Sequence, residues 1–138
     1  MSASRAGEAF FDTNVPLYLL TADDGRAQRA EDLLAGGGVI SVQVLNEFVA
    51  VARRKHRAPW SRVTDTLDVL RRICRVEPLT VPVHDRALAL AQRHGLPVYD
   101  AMIAASALAA GCRTLFSEDF QHGQVLDGLT ILNPFLPA

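Results

Sequence analysis

The sequence has 138 residues, enough for one domain with its own core and no need of disulfide or zinc staples. Hydrophobic residues make up 49% and charged residues 21%, which excludes a disordered chain, and a net charge of −1 excludes a protein that grips nucleic acid by bulk positive charge. Cys74 and Cys112 have no metal-ligand spacing and read as free thiols of a cytoplasmic protein. No signal peptide is visible, and the apolar run over residues 100–111 is too short to cross a bilayer.

In chain order, residues 1–7 are small and polar and read as a flexible lead-in to a single domain over 8–138. Residues 8–12 predict a short strand with Phe10 and Phe11 on opposite faces. Asn14 follows as an N-cap, with Pro16 early in a short helix through residue 21. A helix is expected over residues 24–35, with Ala27, Ala30, Leu33 and Leu34 on its apolar side, ended by the glycines 36–38. Residues 39–41 predict a strand, and residues 42–55 a helix in which Leu45, Phe48 and Ala52, and also Val44 and Val51, fall at helical spacing. Pro59 precedes a helix over 60–74 with the apolar line Val63, Leu67, Leu70 and Cys74, then a weak strand over 77–81. A helix over 83–94 is stopped by Gly95 and Pro97. The alanine-rich helix over 100–110 is apolar almost all round, which implies burial on most sides, and Gly111 closes it. Residues 113–117 and 129–132 supply the last strands. Strands separated by helices imply an α/β domain with a central, mostly parallel sheet of four or five short strands covered by helices on both faces.

Sheets of this kind bind ligands beyond the carboxyl ends of their strands. Asp12 ends the first predicted strand, Asp119 lies two residues past Ser117, and Asp100 opens the buried helix. Glu47 shares a helix face with Val44 and Val51, so its carboxylate calls for a cation, either arginine or metal. Each acid has a plainer role available: a turn residue at 12, an N-cap at 100, a solvated turn at 118–119, a surface side chain at 47. Together, four acids at one predicted ligand edge favour a site. Clustered carboxylates repel, and Mg²⁺ or Mn²⁺ takes such oxygen ligands, which supplies phosphodiester hydrolysis with a mechanism free of any nucleophilic side chain.

The stretch Phe11-Asp12-Thr13-Asn14-Val15, residues 41–48 (SVQVLNEF), Tyr99-Asp100-Ala101 at the head of the alanine-rich helix, and Ser117-Glu118-Asp119-Phe120 resemble the PIN-domain family in order and spacing. Within it they are most similar to the small VapC-type toxins of bacterial toxin–antitoxin pairs, over almost the whole chain. The resemblance implies an Mg²⁺- or Mn²⁺-dependent endoribonuclease with Asp12, Glu47, Asp100 and Asp119 as catalytic metal ligands. It also implies a homodimer and an antitoxin whose C-terminal segment covers the groove. Thr13, Asn14 and Ser117 match the family's supporting polar positions, and Asp119 matches better than Glu118. His122 follows Asp119 closely but reads as a structural loop histidine.

Two arginine-rich clusters, at 53–57 and 71–75, are candidates for steering RNA, with solvated helix faces as the plainer reading. Tyr18, Phe48 and Trp60 are candidates for lining a groove or stacking a base, with core or partner packing as the expected role of each. Competing functions are an aspartyl phosphatase, a non-catalytic PIN-like module that grips RNA or protein, and a housekeeping PIN nuclease without an antitoxin. The phosphatase wants an acid at position 14, which is Asn, and a well-placed lysine, whereas Lys55 is the only lysine. Residues 36–38 lack the rest of a P-loop.

Overall fold

Phe10 and Phe11 project to opposite faces of one strand and both are sealed from solvent, so the strand that carries them is central and covered on both sides. A computed structural model describes residues 8–137, and the lead-in expected over 1–7 lies outside the described residues. Strand β1 (Ala9–Phe11) is followed by α1 (Asn14–Leu17), a 3₁₀ turn (Tyr18–Leu20), α2 (Asp24–Ala35), β2 (Gly38–Ser41), α3 (Val42–Arg54) and α4 (Trp60–Ile73). Then come β3 (Cys74–Glu77), α5 (Val81–His94), α6 (Val98–Ala109), β4 (Thr114–Phe116), β5 (Val125–Leu126) and β6 (Leu129–Leu132). The strand order is β3-β2-β1-β4-β6-β5, parallel throughout except for β5, which runs antiparallel to β6.

The sheet therefore has six strands rather than four or five. The additional one forms a hairpin with β6 across Asp127 and Gly128, both at positive φ (50° and 88°), the backbone that an Asp-Gly pair favours. The strand expected over 77–81 lies earlier, at Cys74–Glu77. Pro78 has no N–H for a ladder, and Thr80 instead caps α5, its Oγ1 accepting from the Val83 N–H at 3.3 Å. Helix α6 begins at Val98, two residues early, so Asp100 sits inside its first turn and not at its cap.

Alanines make α6 narrow enough to be buried from Ala101 to Ala107. Its side chains join Phe10, Val39, Ile40, Leu115 and Ile131 in the main core. A smaller core of Phe48, Ala52, Ala58 and Val63 ties α3 to α4 and receives Leu17 and Leu20. Gly38 lets β2 lie close to β1, because a Cβ there would come 2.7 Å from the Ala9 carbonyl oxygen. Ser41, at the carboxyl end of β2, caps α3 by accepting from the Val44 N–H at 3.2 Å, which fixes the rotation of the helix that carries Glu47. Among the described residues, no helix is long and apolar enough to cross a membrane.

Candidate active site

Strand β1 pairs with β2 on one side and with β4 on the other, so the chain reverses its winding between β1 and β4. Loops leaving the carboxyl ends of two such strands diverge and leave a crevice. Asp12 follows β1 directly, and its N–H continues the ladder by donating to Phe116 O at 3.0 Å. Ser117 follows β4 and donates its hydroxyl to Asp12 Oδ2 at 2.7 Å, while the Thr13 N–H donates to Oδ1 at 2.7 Å. The crevice is a cleft of about 310 Å³ whose wall includes all four acids: Asp12, Glu47, Asp100 and Asp119. They arrive from a strand end, from mid-α3, from the first turn of α6 and from the loop after β4.

Neutral donors space these acids. The Thr13 hydroxyl donates to Glu47 Oε1 at 3.0 Å, and Asn14 Nδ2 donates to Asp119 Oδ2 at 3.1 Å and to Ser117 Oγ at 3.4 Å. Asn14 is the first residue of α1 and not its N-cap; the cap position is Thr13, whose hydroxyl is committed to Glu47. Among the described residues none of the four carboxylates has an ion-pair partner. Burial pushes the Asp12 carboxyl up to about 7, with the negative charges of Asp119 and Glu47 adding to the rise and the Ser117 and Thr13 hydrogen bonds opposing it. Burial also raises Glu47, against hydrogen bonds from Thr13 and Gln43 and with the charges of Asp100 and Asp119 adding to it. Asp100 is raised by burial and then by Asp119.

Four carboxylates on one wall, none of them ion-paired among the described residues, are the donor set that hard divalent cations take. As the side chains stand, no three acidic, histidine or cysteine residues among those described are grouped tightly enough to hold one ion. Thr13 and Asn14 hold Glu47 and Asp119 in a spread arrangement, and Asp119 is the exposed member of the four.

Glu118 lines the cleft but accepts the Tyr18 hydroxyl on both oxygens, at 2.8 and 2.9 Å. Burial, then the Glu118 hydrogen bond and charge, raise the Tyr18 hydroxyl to about 12, so it remains a donor. His122 takes a structural role: its Nδ1 accepts from the Asn133 N–H at 2.9 Å, and it is not part of the cleft wall. Within the 53–57 cluster expected to steer RNA, Lys55 and His56 are the two residues that line the wall, and sequence reasoning had given neither a place in the site itself. Glu47, Val51 and Lys55 recur at every fourth position of one helix face, which was the available signal for Lys55. Of the two arginine clusters, only 53–57 borders the cleft. Arg71 and Arg72 lie just before β3 begins, at the amino ends of the strands, and Arg75 is bound to Glu8, Glu77 and the Ala110 carbonyl.

A parallel α/β sheet with acids gathered at its switch point defines the class of domain. Within that class the chain belongs to the PIN-domain family, whose sequence profile matches residues 9–125. It is similar in structure to the VapC20 toxin of Mycobacterium tuberculosis, which cleaves the sarcin–ricin loop: TM-score 0.69, 24% identity, covering 86% of this chain and 97% of that one. It is also similar to a toxin–antitoxin complex from Klebsiella pneumoniae (0.70, 22%, covering 92% and 98%). A third likeness is to VapBC2 from Rickettsia felis bound to a promoter DNA fragment (0.63, 20%, covering 89% and 96%). At these identities the likeness establishes the fold. No curated protein sequence matches this chain.

Proposed function

We infer that the protein is an Mg²⁺- or Mn²⁺-dependent endoribonuclease and the toxin of a VapBC-type toxin–antitoxin pair. The observation that carries the reading is the convergence of Asp12, Glu47, Asp100 and Asp119 on one cleft with no side-chain cation paired to any of them. Family membership and the toxin complexes among the structural neighbours support it. The same reading carries a cytoplasmic protein that forms a homodimer and is inhibited by a small antitoxin lying over the cleft.

Divalent ions bound by these acids supply an acidified water and positive charge to set against the phosphoryl oxygens. The chain's own groups prepare the place. Asp12 is the rigid ligand, held by the Thr13 N–H and the Ser117 hydroxyl. Thr13 orients Glu47, and Asn14 restrains Asp119. Asp100 is presented by the first turn of α6, where burial and the charge of Asp119 hold its pKa above the usual carboxylate range.

Purified protein should cleave RNA oligonucleotides in Mn²⁺ or Mg²⁺ and not in EDTA. Intact RNA in both buffers, with no Mn²⁺ binding by calorimetry, would return the chain to the class of non-catalytic modules. Asp119→Asn should slow cleavage by a factor on the order of 10² or more, whereas Glu118→Gln, already committed to Tyr18, should stay within a few-fold of wild type. The reverse ranking in a single-turnover assay would transfer the ligand role to Glu118.

A further inference from the structure

Residues 48–64 hold five of the chain's 14 lysines and arginines and no acid. The fold brings Val51, Lys55 and His56 of this stretch to the cleft wall. The face of α3 that carries Glu47 and Val51 ends at Lys55, and Lys55 and His56 are themselves wall residues. The start of α4 is tied to the 3₁₀ turn: Arg62 Nη2 donates to the Leu19 carbonyl at 3.2 Å, next to the wall residue Tyr18. Trp60, which opens α4, is 57% exposed, and the Arg53 guanidinium lies 4.6 Å from its ring centroid, anchored by a 2.8 Å bond from Nη1 to the Ala58 carbonyl.

Three features of this rim call for one explanation. Lys55 lines a cleft with four carboxylates yet, like Arg54 and Arg57, has no ion-pair partner among the described residues. Arg57 adopts φ 51°, a left-handed backbone unusual for arginine, in the turn between the two helices. The indole of Trp60 is held by a cation and left open to solvent. Free cations suit a polyanion, and an open indole suits an unpaired base.

We propose that the α3–α4 turn is a docking rim for single-stranded RNA, with Lys55, His56 and Arg57 taking backbone phosphates as the strand leaves the acid cleft and Trp60 stacking a base. The direction of the strand into the cleft rests on the nuclease reading. Stacking needs a free base, so the rim selects single strands over duplexes. An acidic protein segment would satisfy the cations but leaves the open indole unexplained.

Trp60 is the only tryptophan, so its emission reads the rim directly. The full-length protein, in EDTA so that binding is seen without turnover, is titrated with a single-stranded RNA dodecamer, an RNA duplex of the same length and poly-glutamate. The single strand should quench Trp60 emission and the other two should not. Lys55→Gln combined with Arg57→Gln should lower the slope of log K against log salt by about 1.4, the value for two phosphate contacts on a single strand. Trp60→Leu, followed by the anisotropy of a labelled dodecamer because the variant has no tryptophan, should weaken binding about tenfold with the slope unchanged. Silent emission on single-stranded RNA, or wild-type binding by the double variant, overturns the proposal. Equal quenching by poly-glutamate also overturns it and assigns the rim to an acidic protein partner. Quenching without cleavage in Mn²⁺ would sink the nuclease reading alone, and cleavage with silent Trp60 would sink this proposal alone.

Discussion

Asp12→Asn is expected to yield a protein that is more stable than wild type in EDTA at pH 8 and that cleaves RNA more slowly by a factor on the order of 10³ or more. Asp12 is 3% exposed, and its carboxyl is pushed up to about 7 from 3.8. A shift of about three units corresponds to roughly 4 kcal/mol of opposition to the charged form at pH above 7. Asparagine keeps the shape, removes that charge and loses one hydrogen bond, since only its amide oxygen accepts and the NH2 group faces one of the two donors, Thr13 N–H or Ser117 O–H. The lost bond costs about 1–2 kcal/mol, so a net stabilisation of about 2–3 kcal/mol remains in urea denaturation. On the proposed reading the same substitution removes the most rigidly held of the four metal-binding carboxylates, and the loss of rate would follow from the loss of ion binding. A variant both less stable and fully active would refute the role of Asp12 on both counts.

A second large effect concerns pH and ions together. Because the folded-state pKa of Asp12 is raised, the folded chain holds a proton between about pH 4 and pH 7 that the unfolded chain has released. This group's contribution to stability is therefore intact below pH 4 and is lost as pH rises to 7, after which it levels off. Glu47 and Asp100 shift in the same direction. A divalent cation replaces the proton as the balancing charge, so its stabilisation should be largest above pH 7 and fade below it. At a Mn²⁺ concentration 100 times its dissociation constant, binding adds about 2.7 kcal/mol, or roughly 10 °C in Tm for a domain of this size. Melting curves at pH 5 and pH 8, with Mn²⁺ and with EDTA, should show that rise at pH 8 and little of it at pH 5. An equal rise at both pH values would mean that ions bind elsewhere than at the acids.

Much of this was legible because it is written in local pattern. The alanine run of α6 reports its own burial, Phe10 and Phe11 report a strand covered on both faces, and residues just past β1 and β4 are candidates by position alone. The rest depends on contacts across the chain. The commitment of Asn14 to Asp119 and of Tyr18 to Glu118 joins positions 105 and 100 residues apart. A two-residue strand such as β5 is too short to show periodicity, although Asp127-Gly128 marks its turn. The start of β3 was misplaced because Cys74 and Val76 fit either the end of a helix or a strand, and pairing with Gly38 and Ile40 decides between them.

The most direct test is single-turnover cleavage of an RNA oligonucleotide by the purified protein in Mn²⁺, in EDTA, and in Mn²⁺ with Asp100→Asn. Asp100 is half-buried, so the variant should fold as wild type does, and circular dichroism would check this. Cleavage only by the wild type and only with the ion is the predicted result. Cleavage in EDTA, or at the wild-type rate by Asp100→Asn, would contradict the assignment of the four carboxylates as the active site.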